Sequence, residues 1–62
     1  MMKTLKELRE EKGLTIEELA QEASVRVRTI KRLEEENLKV PAVEAGKLAF
    51  YFNTTKIKNI FE

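Results

Sequence analysis

GLTIEELAQEASVRVRTIKRL, residues 13–33, is the stretch of sequence that decides the fold. It opens with Thr15 followed three residues later by Glu18, the capping-box pattern of a helix start. The next apolar residues recur at the i, i+3, i+4, i+7 spacing that gives a helix one buried face, and they are Ile16, Leu19, Ala20 and Ala23. The pattern is then interrupted around Ser24, which predicts a tight turn before another helix begins near Arg26.

The helix after the turn is predicted to run from Arg26 to Glu35, and it carries most of the positive charge. The formal net charge of the whole chain is only +1, yet residues 26–33 contain four Lys or Arg residues and no Glu. At about 100° per residue, burying Ile30 and Leu33 turns Arg28 outwards. The outward patch consists of Arg28, Lys31 and Arg32.

The short connection between these two helices determines how the charged helix is presented. A turn of about three residues is too short for an antiparallel hairpin, so the second helix leaves at a steep angle and exposes its outer side. A helix of this width fits the major groove of DNA, where Arg contacts guanine with two hydrogen bonds and Lys or Arg neutralises phosphates. The sequence therefore predicts a helix-turn-helix that binds double-stranded DNA.

Another helix is predicted before this pair. Thr4 and Glu7 form a second capping-box pattern, and Gly13 ends the helix that Thr4 begins. Together with the helices that follow, its apolar face contributes to a single core. The predicted core residues are Leu5, Leu8, Leu19, Ala20, Val25, Ile30, Leu33, Leu48, Ala49 and Phe52.

Two more helices are predicted after the charged helix, which Asn37 would end as a left-handed C-cap. Pro41 fits the first turn of the fourth helix, which ends near Asn53. Thr54 or Thr55 can then cap a short fifth helix. Its apolar side would consist of Ile57, Ile60 and Phe61. The expected fold class is therefore all-α, a compact five-helix domain.

The composition excludes several classes of protein. The 62 residues, 1–62, amount to a single domain, and they include no Cys, His, Asp or Trp. Disulfides and thiolate metal sites are therefore missing, and so are the usual general bases except for the eleven Glu, which lie in runs typical of solvated helix faces. We expect no enzyme, metal, cofactor or small-molecule ligand. No apolar run approaches the roughly 20 residues of a membrane span, and no signal-peptide pattern opens the chain, so a cytoplasmic location is expected.

Residues 13–25 and 29–34 resemble the helix-turn-helix of the lambda-repressor and Cro (Xre-type) family of bacterial and phage regulators. The likeness continues through Gly46-Lys47-Leu48-Ala49, Phe52-Asn53 and Ile60-Phe61-Glu62. It implies a five-helix repressor-like domain whose third helix is the recognition helix. The function it implies is transcriptional regulation, as a repressor.

The resemblance also implies which residues contact DNA. Base contacts are implied for Val27, Arg28 and Arg32, with Lys31 facing the groove as well. Phosphate contacts are implied for Arg26 and for the loop from Asn37 to Lys39. Ile16 stands where the family often has a Gln that contacts the backbone, so Thr15 or the amide dipole of the second helix would serve instead.

Several other positions depart from the family pattern. Ser24 replaces a turn Gly where positive φ is usual, and Arg26 replaces the usual Ser or Thr N-cap. Pro41 is offset by one position. The loop lacks its common Gly and carries Glu34, Glu35 and Glu36, which favours a longer third helix. We interpret the three Glu residues as a solvated acidic end, and the alternative is that acidic groups beside the groove reject non-specific DNA.

Phe50-Tyr51-Phe52 span about 200° of a helix and cannot all face the core. We interpret the exposed ring as a contact in a homodimer rather than as a lone surface ring. The predicted contacts lie on the fifth helix and the adjacent end of the fourth, and they are Phe50, Tyr51, Lys56 and Asn59. Such a dimer, weak in solution and completed on DNA, would set the recognition helices about 34 Å apart on an inverted-repeat operator.

Two classes of function stay open at this point. The first is sequence-specific DNA binding, and the alternative is a protein-interaction module, antitoxin-like or anti-activator, that keeps the repressor fold. Such a module would use the third helix or the aromatic edge on another protein. A DNA binder is expected to shift the mobility of a random-sequence DNA duplex at low salt, and this shift should disappear at higher salt. A module that binds only protein should give no such shift.

Overall fold

The computed structural model describes residues 3–36, 40–54 and 56–57. It contains helices α1 (Leu5–Glu11), α2 (Ile16–Ala23), α3 (Val27–Lys31) and α4 (Ala42–Phe52). Directly after α3 the helix widens into a π-helical segment, Arg32–Glu36. The all-α class is confirmed for the described residues. The helical stretch after the turn continues to Glu36, in line with the longer third helix that Glu34, Glu35 and Glu36 favour.

The starts of α1 and α2 are capped as the sequence predicts. The Thr4 hydroxyl accepts from the Glu7 amide at 3.1 Å, and the Glu7 carboxylate accepts from the Thr4 amide at 2.8 Å. Thr15 and Glu18 form the same reciprocal pair at 3.0 and 2.8 Å. Both capping boxes therefore satisfy amides that would otherwise lack a partner at a helix start.

Three of the helices end in the same way, on a residue with positive φ. These residues are Gly13 (φ 69°), Ser24 (φ 58°) and Asn53 (φ 54°). In each case the next amide donates to a carbonyl five residues earlier, at 3.0–3.2 Å, which is the Schellman arrangement. Ser24 thus adopts the left-handed conformation expected of the turn, and α4 ends where predicted.

The start of α4 differs slightly from the prediction. Pro41 precedes the first helical residue instead of lying in the first turn, because its ψ of 138° is not helical. Its carbonyl accepts from the Ala45 amide at 3.0 Å, so Pro41 occupies the N-cap. Proline costs no hydrogen bond at either position, since its missing N–H would be unpaired in both.

The core is formed by one face of each helix. The predicted core residues that are buried are Leu5, Leu19, Ala20, Val25, Ile30, Leu33, Leu48 and Ala49. Leu8 and Phe52 are half-buried and pack against this cluster. Ala45 and Ile57 are buried as well, although the sequence analysis did not include them in the core.

The predicted fifth helix is wrong over the residues that the structure describes. The described residues after Asn53, which are Thr54, Lys56 and Ile57, are not helical, and Ile57 forms an isolated parallel bridge with Lys3. The Thr54 hydroxyl accepts from the Lys56 amide two residues on, at 3.0 Å, in a local turn that no helix follows at Lys56 and Ile57. Ile60, Phe61 and the alternative cap Thr55 lie outside the described residues.

An ion pair ties α1 to the π-helical segment. Arg9 donates from Nε and Nη2 to the two carboxylate oxygens of Glu34 at 2.8 and 3.0 Å, and from Nη1 to the Leu14 carbonyl at 2.8 Å. Only 3 % of the Glu34 side chain is exposed. The interpretation of residues 34–36 as a solvated acidic end is therefore wrong for Glu34, whose carboxylate is occupied by Arg9, while Glu35 is exposed.

Candidate nucleic-acid interface

The connection between α2 and α3 is as short as the sequence predicts. Ser24 reverses the chain, Val25 is buried, and Arg26 is an extended N-cap with φ −79° and ψ 145°. Arg26 makes no side-chain cap, in line with its replacing a Ser or Thr. The two helices pack against each other and so form a helix-turn-helix.

The inner side of α3 and its extension is buried, which sets the direction of the outer side. Ile30 and Leu33 lie in the core, and Thr29 is almost fully buried as well. Arg28 and Lys31 are exposed and Arg32 is half-buried. The rotation predicted from helical periodicity is therefore confirmed for Arg28 and Lys31, whereas Arg32 is only partly turned outwards.

Val27 stands apart from the other predicted base contacts. Its side chain is half-buried and packs against the core, so only part of its surface is open to a ligand. The basic residues instead share a shallow cleft beside the start of α4. The residues lining it are Arg26, Arg28, Thr29, Arg32 and Pro41. None of these described lining residues is acidic, so the cleft suits an anion.

Beneath this cleft lies a carboxylate that the sequence analysis missed. Glu44 of α4 accepts from the Arg26 amide at 2.9 Å, from Arg26 Nη2 at 2.8 Å, and from the Thr29 hydroxyl at 2.7 Å. Arg26 Nε lies 3.2 and 3.3 Å from the two carboxylate oxygens. Only 9 % of Glu44 is exposed. A signal was present in the sequence, because Glu44 precedes the buried Leu48 by one helical turn.

These contacts change the acidity of both charged partners. The hydrogen bonds from the Arg26 guanidinium, opposed by burial and helped by the Arg26 amide and the Thr29 hydroxyl, lower the pKa of Glu44 to about 2. The same hydrogen bond raises the pKa of Arg26. Glu44 therefore stays ionised at neutral pH and fixes the start of α3 to α4.

The predicted phosphate contacts divide into three groups. Thr15 is exposed at the start of α2, but its hydroxyl oxygen already accepts from the Glu18 amide. Arg26 keeps 62 % of its side chain exposed although it pairs with Glu44. Asn37 and Lys39 lie outside the described residues. These contacts stay predictions.

The aromatic end of α4 contains one fully presented ring, as predicted. Phe50 is 88 % exposed. Tyr51 is half-buried, its hydroxyl donates to Glu22 at 2.5 Å, and the ammonium of Lys12 lies 5.3 Å from the centre of its ring. Lys56 is exposed, and Asn59 lies outside the described residues. Phe50 therefore offers the free apolar surface here, whereas the polar end of Tyr51 is occupied within the chain.

The part of the chain that the structure describes contains no cluster of metal-ligating side chains. None of its helices is long and apolar enough to cross a membrane.

Comparison with known proteins supports the assignment of α2 and α3 as a helix-turn-helix. A family model described as a helix-turn-helix domain matches residues 4–43 of the 62, from the cap of α1 to the first turn of α4. No curated protein and no solved structure matches the chain. The matched region contains both helices, the turn between them and the exposed basic residues. The chain therefore belongs to this family of helix-turn-helix domains, a family whose fold suggests DNA binding.

Proposed function

We propose that this protein is a sequence-specific double-stranded DNA-binding protein that regulates transcription as a repressor of the lambda-repressor and Cro type. Residues 26–35 would occupy the major groove. One observation carries the proposal. The exposed side of the second helix of a helix-turn-helix presents Arg28, Lys31 and Arg32, while its opposite side is locked into the core.

The proposed DNA contacts divide into residues that contact bases and residues that contact the phosphate backbone of DNA. Arg28 and Arg32 suit guanine, whose two major-groove acceptors match a guanidinium. Arg26 lies at the start of α3, where the resemblance to the lambda-repressor and Cro family implies a phosphate contact. Thr15, at the start of α2, is proposed as another backbone contact. Asn37 and Lys39 would complete the backbone contacts from the loop. The proposal is for binding, because the described residues of this surface are mainly cations, which suit the phosphates and base edges of DNA.

The test is a selection of bound sites from random DNA, followed by Arg28→Ala and Arg32→Ala. Each change should weaken binding to the selected site by about 1–3 kcal/mol, because a two-hydrogen-bond base contact is lost. Helicity should be unchanged, since both side chains contribute little to the core. Binding is measured by fluorescence anisotropy and helicity by circular dichroism.

Lys6→Ala is the matched control, because Lys6 is an exposed cation on α1 outside the proposed interface. Two results would count against the proposal. One is no binding of any duplex at low salt, and the other is equal affinity of both Arg variants and the parent for the selected site.

A second copy of the chain is part of the proposal. One recognition helix contacts only a few base pairs, so a pair of domains on an inverted repeat is needed to specify a site. Because the predicted fifth helix is not formed in the described residues, the surface that we propose is the outer face of α4. Val43 and Phe50 are two turns apart on that face; Val43 is 70 % exposed and Phe50 is 88 % exposed. Lys56 and Asn59 remain candidates for the rim.

Phe50→Glu tests this pairing. Two carboxylates brought together at a two-fold interface repel and remain poorly hydrated, so cooperative binding of two proteins to the operator should be lost. Lys6→Gln removes one positive charge elsewhere and serves as the charge-matched control. Stoichiometry on the selected operator is measured by native mass spectrometry. Full cooperative binding by Phe50→Glu, or one protein per operator, would exclude this interface.

The exposed apolar face of α4 also favours a second candidate function, a protein-interaction module of the antitoxin-like or anti-activator kind. Val43 and Phe50 lie together on a face that nothing in the described chain covers. The random-duplex assay separates the two functions, because a module that binds only protein gives no salt-sensitive shift.

A further inference from the structure

The start of the recognition helix is held by a carboxylate from another helix. Glu44 of α4 accepts from the backbone amide of Arg26 at 2.9 Å and from its Nη2 at 2.8 Å. The Thr29 hydroxyl donates to the same carboxylate at 2.7 Å. Glu44 is thus fixed from three directions directly behind the basic cleft.

This pairing changes the effective charge of the surface that faces DNA. Four cations belong to residues 26–33, but the charge of Arg26 is balanced by a carboxylate in contact with it. Beyond about 8–10 Å, the screening length near physiological salt, such a pair acts as a dipole and not as a charge. The recognition surface therefore carries the long-range charge of three cations.

The charge of a DNA-binding surface contributes to binding at right and wrong sites alike. Binding to arbitrary sequence depends almost entirely on phosphate neutralisation and counterion release. Binding to the correct site also uses base contacts, which a change in net charge does not remove. Lowering the charge by one therefore reduces affinity for both kinds of site, and base contacts become a larger share of binding to the correct one.

The pairing also fixes the direction of the Arg26 guanidinium. Nε and Nη2 both donate to Glu44, whereas Nη1 donates to no acceptor within the described residues. The side chain is nevertheless 62 % exposed. One edge of the guanidinium is anchored by Glu44, and its remaining N–H groups are left to donate to an external acceptor.

We propose that Glu44 is a specificity-determining residue that cancels the charge of Arg26 and so weakens binding to DNA of arbitrary sequence. The same contact holds Arg26 in one orientation for an acceptor on the correct site. This inference rests on the proposed DNA-binding function. Glu44, a largely buried residue outside the helix-turn-helix, would thus set how strongly random DNA competes with the correct site for the protein.

Glu44→Gln and the double variant Arg26→Gln with Glu44→Gln test this role on random duplex. Glu44→Gln frees the Arg26 charge, so the plot of log affinity against log salt should become steeper by about 0.9. If the two proteins bind alike at 1 M salt, affinity rises by about 15-fold at about 0.05 M salt and by about 5-fold at about 0.15 M. The double variant has the same net charge as the parent and should keep the parent slope.

Glu10→Gln is the matched control, because Glu10 is exposed on α1 and its replacement changes net charge by the same amount. Thermal unfolding followed by circular dichroism establishes the folded fraction of each variant before binding. The double variant decides the matter even where Glu44→Gln alone is poorly folded. If Arg26 acts as a full charge in the parent, removing both groups makes the slope shallower by about 0.9.

The selected site provides the second measurement. The ratio of its affinity to that of random duplex should fall in Glu44→Gln, because the freed charge strengthens both kinds of binding while Arg26 loses the fixed orientation that suits the acceptor on the correct site. A parent that binds DNA while Glu44→Gln shows an unchanged slope and an unchanged ratio would overturn the role of Glu44 and leave the proposed function standing. A parent that binds no duplex at low salt would remove both.

Discussion

Replacing Glu34 by Gln is expected to lower the free energy of unfolding by about 3 kcal/mol, although the new side chain has nearly the same shape. Arg9 donates from both Nε and Nη2 to the Glu34 carboxylate. A Gln amide offers one oxygen and one NH2 group, so one Arg9 donor would face another donor. Removing one partner of a buried ion pair typically costs about 3–5 kcal/mol. The lower end applies because 12 % of the Arg9 side chain is exposed.

This loss should be plain in a thermal melt, because about 1 kcal/mol shifts the midpoint of so small a domain by roughly 4–8 °C. Glu35→Gln is the matched control, since it makes the same chemical change at the exposed neighbour. Arg9→Met together with Glu34→Leu should lose less than Glu34→Gln, because an apolar pair leaves no buried charge. A Glu34→Gln midpoint equal to that of Glu35→Gln would show that the ion pair contributes nothing to stability.

The elements that the sequence predicts well are those fixed by neighbours along the chain. The capping boxes at Thr4 and Thr15 join residues three apart, and the left-handed turn at Ser24 follows from an interrupted helical pattern. The outward direction of Arg28 follows in the same way from the burial of Ile30 on the other side of one helix. Each of these depends on a spacing of a few residues, which periodicity and capping rules describe.

The features that the sequence does not reveal join residues far apart. Glu34 meets Arg9 across 25 positions, and Glu44 meets Arg26 across 18. Helical periodicity places a residue on one side of its own helix but says nothing of which cation lies opposite. Glu34 therefore passes for part of an acidic helix end. Glu44 shows only a weaker signal, a carboxylate within an apolar stripe.

The fifth helix illustrates a choice that a local hydrogen bond leaves open. Thr54 accepts from the Lys56 amide, and such a contact between residues two apart occurs both in helix caps and in isolated turns. The sequence allows both. Burial favours the turn, because Ile57 lies beside Lys3 and in the core.

Ile57→Ala is accordingly expected to lower the free energy of unfolding by about 2–5 kcal/mol. Ile57 is fully buried, and it lies outside residues 4–43, the part of the chain that the family model matches. Truncation removes the apolar transfer energy of the side chain and leaves a cavity in the core cluster to which Ile57 belongs, and the surrounding residues cannot fully close around it. For a domain of this size, that loss is a large share of the total stability.

Val43→Ala provides the control, because Val43 is a branched aliphatic residue that is 70 % exposed, and its replacement should stay within about 0.5 kcal/mol of the parent. Unfolding in urea gives both free energies, and the slope of each transition checks that the unfolded states are comparable. If Ile57→Ala unfolds at the same urea concentration as Val43→Ala, Ile57 is not part of the core. The segment after α4 would then contribute nothing to the free energy of unfolding, and residues 3–54 would account for the stability by themselves.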